Sequence, residues 1–304
     1  MSSISLILII AVSLFFSGIV IRTKSILSGR KGAGIFQPLK DVWRLFRKGA
    51  VYSETSSFIF RIAPSIYFST VLMATFLIPF DSYPGILSFR GDFVFFAYVL
   101  ALGKFFMIIG AMDTGSSFEG MGASREALYS MLAEPAFFVL MGSFALLTGY
   151  TSFFEIFSNL HFGSYISYAL GTLATFVLVI VAMIENSRMP IDDPKTHLEL
   201  TMVHEVMILD NSGFDLGLIL YTTHLKFAMY GALIADFLVP SGLALHYSII
   251  IFITIQILFA ISVGIIESFM ARFRMTHNPQ FIFTLSSISI LIFLSVLLML
   301  GRIT

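Results

Sequence analysis

The chain has no cysteine and few charged residues. Of its 304 residues, 12% are Asp, Glu, Lys or Arg and 57% are hydrophobic. Without thiolates it can form no disulfide and can ligate no iron–sulfur cluster. It also lacks a Gly-rich nucleotide loop and a Cys/His spacing for zinc. We therefore expect no metal or cofactor bound by this chain. The formal net charge of zero gives no sign of nucleic-acid binding.

Long apolar runs predict an all-α polytopic membrane protein with eight transmembrane helices. About 20 apolar residues cross the hydrocarbon core as a helix. Six runs of this length are free of charge, and two more are interrupted by a single lysine, Lys104 or Lys226. Residues 1–304 are predicted to form one membrane domain. The predicted spans are roughly 2–21, 60–80, 92–112, 134–153, 163–184, 216–237, 245–268 and 279–301.

The distribution of basic residues predicts the orientation. Lysines and arginines crowd the loops between alternate spans, whereas the loops on the other side carry only Arg90. Basic loops stay in the cytoplasm, so both termini are expected outside, in the cytoplasmic (inner) membrane. The first run has no charged leading region, which argues against a cleaved signal peptide. The predicted cytoplasmic loops are 22–59, 113–133, 185–215 and 269–278.

The first cytoplasmic loop is predicted to contain a short amphipathic helix at 38–48. Leu39, Val42, Trp43 and Phe46 share one face at 100° per residue, with basic side chains opposite. Such a helix lies in the headgroup plane. It either anchors the loop to the membrane surface or frames the mouth of a lateral cavity.

A second cytoplasmic helix is predicted in the third loop. Gly115, Gly120 and Gly122 indicate turns, and Ser124 is then placed to cap a helix that runs to Glu134, where the next span begins.

Lys104 and Lys226 each lie near the middle of a predicted span. A lysine at the bilayer centre costs about 2.5–3.5 kcal/mol on insertion scales, so such residues face the bundle interior or water. Two interpretations stay open. The lysines form structural ion pairs with neighbouring acids, or they line a path for protons or ions.

Several acids lie near the predicted cytoplasmic ends of spans. Glu134, Glu185 and Glu267 flank the fourth, fifth and seventh spans, and Glu199 and Glu205 lie in the loop between. Each is either a solvated charge at a helix end or part of an acidic chain. Such a chain can conduct protons, because carboxylates that face one another share protons.

His197 and His204 fall on one face of a helix predicted from about Thr196. They are two turns apart, too far to share zinc without other ligands. A neutral imidazole suits hydrogen bonding or proton passage, which makes His204 a further candidate for the path.

The stretch 185–192, Glu-Asn-Ser-Arg-Met-Pro-Ile-Asp, resembles the Glu-Thr-Asn-Arg-x-Pro-Phe-Asp signature of the complex I subunit that forms the quinone cavity. Residues 196–205 are similar to the version found in membrane subunits of group 4 nickel–iron hydrogenases and formate hydrogenlyase-type complexes. Residues 120–126 and 267–274 are similar to the same branch. Residues 186–187 and 196–201 differ from the quinone-reducing version.

The resemblance implies a subunit that anchors a peripheral redox arm and relays its redox energy to proton or sodium translocation. It implies path carboxylates at Glu134 and Glu185. It also implies a docking loop beneath the partner's iron–sulfur cluster, to which we assign Arg188, Asp192, Asp193 and Arg125. Implied partners are hydrogenase-like large and small subunits, which carry iron–sulfur clusters and nickel–iron, and antiporter-like membrane subunits. The arm is expected on the cytoplasmic side.

Two alternatives remain. The chain is the quinone-cavity subunit of a complex I-like oxidoreductase that reduces quinone or methanophenazine. Or it is a free-standing secondary transporter that uses Lys104, Lys226 and the acids as its ion site. Only the transporter is expected to act without partner subunits. The chain is not expected to catalyse a reaction by itself under any of these interpretations.

Overall fold

The computed structural model describes residues 3–160, 165–192, 202–239 and 242–301, except for the side chains of 165–168. These residues form helices and connecting turns, and an isolated bridge between Phe80 and Tyr83 is the only β pairing among them. The helices are α1 Ser3–Leu27, α2 Gln37–Phe46, α3 Phe58–Thr75, α4 Asp92–Asp113, α5 Ser117–Thr148, α6 Phe153–Leu160, α7 Tyr165–Glu185, α8 His204–Met207, α9 Gly213–Leu238, α10 Leu245–Phe269 and α11 Asn278–Met299.

Seven of the described helices are long and apolar enough to cross a membrane: α1, α3, α4, α5, α9, α10 and α11. Helix α7 adds a shorter apolar stretch, Ala169–Glu185, within the part that is described. The prediction of an all-helical protein with transmembrane helices is confirmed at this level. The eighth span and the placement of the termini stay predictions.

Helix α9 is the centre of the bundle. It packs against α1, α2, α3, α7 and α10, and the side chains from Leu225 to Ala235 are all buried. Aromatic rings join it to its neighbours, since Phe227 lies 5.1 Å from Phe16 of α1 and 6.4 Å from Phe259 of α10. A charged side chain in this segment, such as Lys226, is therefore surrounded by protein.

Helix α5 is one continuous helix of 32 residues, about 48 Å long at ~1.5 Å per residue. The prediction that Ser124 caps a new helix was wrong, because Ser124 lies inside α5 and donates to the carbonyl of Met121. Glu134 accordingly lies within the helix and not at its end. The turn is at Gly115, which has a φ of 71°, a backbone angle that favours glycine.

Gly122 does not form a turn but allows another segment of the chain to pack closely against α5. A Cβ at this position would lie 2.8 Å from the carbonyl oxygen of Val203 and 2.9 Å from the amide nitrogen of Met207. Helix α8 thus rests directly on the backbone of α5, and glycine is needed for contact and not for flexibility. Tertiary packing here overrides the local signal for a loop.

The predicted amphipathic helix is present as α2, with proline in its first turn. Val42 is buried, Phe46 lies 5.4 Å from Phe214 of α9, and Trp43 is 58% exposed. One part of the apolar face therefore packs against the bundle, and another part, at Trp43, stays exposed, as expected for a helix at the membrane surface.

Candidate functional site

Two lysines and two glutamates meet in the bundle and form what we call the central network: Lys104 of α4, Glu126 of α5, Glu185 of α7 and Lys226 of α9. Lys104 Nζ lies 2.9 Å from Glu126 Oε1 and 3.1 Å from Glu185 Oε2. Lys226 Nζ lies 2.8 Å from the same Glu185 Oε2. Four helices thus each contribute one charge, and the formal charges cancel.

The hydrogen bonding of the two ammonium groups is nearly complete. Lys104 also donates to Ser130 Oγ at 2.6 Å, so its three donors have three partners. Lys226 also donates to the backbone carbonyl of Glu185 at 2.9 Å. Glu126 accepts from Ser187 Oγ at 2.9 Å with its second oxygen. The lysines therefore form ion pairs with neighbouring acids, which is one of the two arrangements that the sequence left open.

Sequence reasoning missed Glu126. The sequence places Glu126 in a cytoplasmic loop. In the structure it is 3% exposed and pairs with Lys104, which lies near the middle of a predicted span. The available signal was the spacing of acids at 119, 126 and 134, which share one side of a helix if that helix begins before Glu119.

Glu134 lies on α5 beside the central network. With Lys104, Glu185 and Tyr230 it lines a cavity of about 30 Å³. A water molecule needs about 10–15 Å³, so this cavity has room for about two. Glu134 can therefore be connected to the network through water.

His204 borders the central network at a second cavity. It lines a cavity of about 10 Å³ with Glu126, Lys104 and Glu185. Burial lowers the pKa of the His204 imidazole to about 4, and the nearby lysines act in the same direction while Glu126 opposes them. At neutral pH the ring is uncharged and can both donate and accept a hydrogen bond.

Asp192 holds the start of α8. Its Oδ2 accepts the amide hydrogens of Val203 at 3.0 Å and His204 at 3.1 Å, and its Oδ1 lies 3.0 Å from Arg272. Arg125, on α5, donates to the carbonyl of Met202 at 2.9 Å. Two of the residues predicted to shape the docking loop therefore fix the backbone that carries His204.

Glu267 forms a separate group with Lys24 and Arg188. Its carboxylate oxygens lie 2.8 Å from Lys24 Nζ and 3.4 Å from Arg188, and Arg188 also lies 5.3 Å from the ring of Phe227. Glu267 is thus close to the motif residue Arg188, not to the central network.

The remaining predicted residues are placed only in part. Glu205 lies in the first turn of α8. Glu199, Asp193 and His197 lie outside the described residues. Among the residues that are described, no group of three or more His, Cys, Asp or Glu side chains could hold a metal ion.

Residues 1–299 match the family model described as NADH dehydrogenase. The chain belongs to this family. Within the NADH dehydrogenase family it is 29% identical to hydrogenase-4 component C of Escherichia coli K12 over 239 residues, which cover 79% of this chain and 75% of that protein. It is 25% identical to formate hydrogenlyase subunit 4 of the same organism over 301 residues, covering 97% of both chains.

One more curated relative and a solved structure are also similar to this chain. A subunit of the NADH-quinone oxidoreductase of Flavobacterium johnsoniae is 27% identical over 179 residues, which cover 55% of this chain and 50% of that one. A solved chain of the membrane-bound sulfane sulfur reductase, an archaeal respiratory membrane complex, superposes with a TM-score of 0.79 at 19% identity and covers 96% of this chain and 97% of its own length. This likeness shows the shared fold.

Proposed function

We propose that this chain is the membrane-anchor and coupling subunit of a hydrogenase-type respiratory complex related to complex I. The observation that carries the proposal is the position of Glu185. It belongs to the 185–192 motif and, at the same time, holds both lysines of the central network within 3.1 Å. One residue thus connects the loop expected beneath a redox partner with charges buried between four helices.

The relatives support the hydrogenase branch. Formate hydrogenlyase subunit 4 and hydrogenase-4 component C are similar over 97% and 79% of this chain, whereas the NADH-quinone oxidoreductase subunit is similar over 55%. The proposed partners are therefore hydrogenase-like large and small subunits, with iron–sulfur clusters and nickel–iron on their side, and antiporter-like membrane subunits. We place the arm on the cytoplasmic side of the inner membrane.

Coupling would proceed through the groups that the motif holds together. A change of charge in the docked arm acts on Arg188, Asp192 and His204. Because Asp192 fixes the start of α8, a shift there moves His204 relative to Glu126. A proton added to Glu126 weakens its pairing with Lys104 and strengthens the hold of Lys104 on Glu185, since paired charges respond to one another. The ion that finally crosses is H⁺ or Na⁺.

Glu185→Gln tests this proposal in the intact complex reconstituted in vesicles. The substitution keeps the shape and one acceptor, so we expect assembly and electron transfer to a soluble dye to persist while ion translocation is lost. Glu155→Gln is the matched control, since Glu155 lies on the separate helix α6. Normal translocation by Glu185→Gln would remove Glu185 from the path.

Mass spectrometry of the intact complex tests the partners. We expect a large subunit with two Cys-x-x-Cys pairs for nickel–iron. A chain that is stable alone and exchanges ions in vesicles would instead establish the transporter alternative.

A second candidate function, reduction of a membrane-soluble quinone, is favoured by one observation. An apolar crevice of about 270 Å³ lies between α1 and α10, next to Ile35, which precedes the amphipathic helix α2. Labelling by a photoreactive quinone at Phe15 or Ile257, competed by excess quinone, would support this function over the hydrogenase.

A further inference from the structure

Glu119, in the first turn of α5, is a buried acid that the proposed mechanism has not used. It is 0% exposed. Its Oε1 accepts the backbone N–H of Asp210 at 2.8 Å. Its Oε2 is also buried and no donor among the described residues lies within full hydrogen-bond geometry of it. The Thr114 hydroxyl interacts with this carboxylate, but it donates to the carbonyl of Ala111 at 2.9 Å. Buried polar atoms in proteins are nearly always partnered, so this oxygen needs an explanation.

The charge environment of Glu119 also differs from that of four other buried acids in the bundle. Glu126, Glu185, Glu267 and Asp192 each have a lysine or arginine within 4 Å, and the described residues place none that close to Glu119. A buried carboxylate without a cation is costly by several kcal/mol, whereas a carboxylic acid is not. Glu119 is therefore suited to hold a proton and to release it only when an acceptor is in reach.

Water is close to Glu119 on one side. Asp210 follows α8 and is exposed, while its backbone amide binds Glu119. An exposed carboxylate next to a buried one can collect protons from solvent and pass them inward.

The central network lies on the other side of Glu119, along the same helix. Glu119 and Glu126 are seven residues apart in α5, so they lie on one face about 10.5 Å apart along the axis. Between them α8 rests on Gly122 through Val203 and Met207, and Met207 also lines the cavity that contains Glu126 and His204. Helix α8 thus separates the two acids.

We propose that Glu119 is the proton-uptake residue of the central network and that α8 is the barrier between them. When α8 moves away from Gly122, the carboxylic acid of Glu119 gives its proton through water to the carboxylate of Glu126. The carboxylate left on Glu119 regains a proton from solvent by way of Asp210. Only O–H bonds are exchanged and nothing is oxidised. This inference rests on the proposed coupling function and adds the aqueous origin of its protons.

The test uses the whole complex in vesicles and the variant Glu119→Gln. The amide oxygen still accepts the Asp210 N–H, so we expect assembly and electron transfer to a soluble dye to be unchanged. Coupled proton translocation should fall by about a hundredfold, the lower end of what loss of a proton-transfer group removes. The remaining turnover should show a larger solvent deuterium isotope effect than the wild type, which loss of a purely structural contact does not produce.

Two further variants make the result specific. Glu119→Asp keeps a carboxyl group and should retain more translocation than Glu119→Gln. Asp113→Asn is the matched control, because Asp113 accepts the backbone N–H of Ser57 at 2.7 Å at the neighbouring end of α4, and we expect wild-type translocation. If Glu185→Gln stops translocation while Glu119→Gln does not change it, the uptake proposal fails and the coupling function stands. If neither variant changes translocation, both fail.

Discussion

Glu185 is the one acid that both buried lysines share, so the loss of either lysine leaves the other in a changed environment. Breaking a buried ion pair by removing one partner costs about 3–5 kcal/mol, and the energy is not divided evenly between the members of such a group. The central network therefore has to be probed through pairs of substitutions.

Lys226→Met should lower the thermal stability of the purified complex markedly, because Glu185 then loses two hydrogen bonds, one to its carboxylate and one to its carbonyl. Lys48→Met, at an exposed position, is the control and should have little effect. The double substitution of Lys226→Met and Glu185→Gln should cost less than the sum of the two. Additive losses in melting temperature would show that the pair is not coupled.

His204 should make the stability of the protein depend on pH. Its folded pKa of about 4 lies below the unfolded value of about 6.5, so the folded state binds fewer protons between these values. Its contribution is complete above about pH 6.5 and is lost as the pH falls toward 4. As the pH falls from 6.5 to 4.5, the melting temperature of the wild type should decrease more than that of His204→Gln. A constant difference over that interval would contradict the lowered pKa.

At the residue level, the burial of charged side chains could be predicted from the sequence more reliably than the contacts between them. Lys104 and Lys226 had to face protein or water because lipid excludes them, and both do. Their partners depend on how four helices are rotated about their own axes, which packing determines and hydropathy does not. Glu126 was missed for this reason. Glu267, for which a solvated helix end and an acidic chain were both open, pairs with Lys24 and Arg188.

Among the elements, the contact between α5 and α8 is the most sensitive to small changes. Gly122→Ala places a methyl group within 3 Å of α8 backbone atoms and should displace α8, lower the melting temperature and weaken retention of the peripheral arm. Gly120→Ala is an internal control in the same helix, because a Cβ there meets nothing within 4 Å. It should stabilise α5 by up to about 1 kcal/mol. Native gels and thermal unfolding measure both effects, and equal behaviour of the two variants would contradict the contact.

Helix boundaries could be predicted where charge and hydropathy change together, as at Asp92 and at the end of α10. They could not be predicted at α5. Gly120 and Gly122 look like loop residues in sequence. Gly120 lies in an open part of the helix, whereas Gly122 is required by its contact with the four-residue helix α8, and no periodicity reveals such a contact.

For the whole molecule, the absence of cysteine allows a direct test of orientation. A single cysteine introduced by Lys48→Cys or Ser82→Cys is at an exposed position and is the only thiol in the chain. We expect a membrane-impermeant maleimide to modify the Ser82→Cys variant in intact cells and the Lys48→Cys variant only in inverted vesicles. The reverse pattern would place the termini inside.

The central position of α9 has a consequence for biogenesis. It is the least hydropathic of the seven candidate spans, and Lys226 alone adds about 2.5–3.5 kcal/mol to its cost of entering the bilayer from the translocon. The carboxylate that neutralises Lys226 belongs to α7, which is synthesised earlier. We therefore expect α9 to be integrated by assembling onto helices that are already in the membrane, with Glu185 acting as its counter-ion during synthesis.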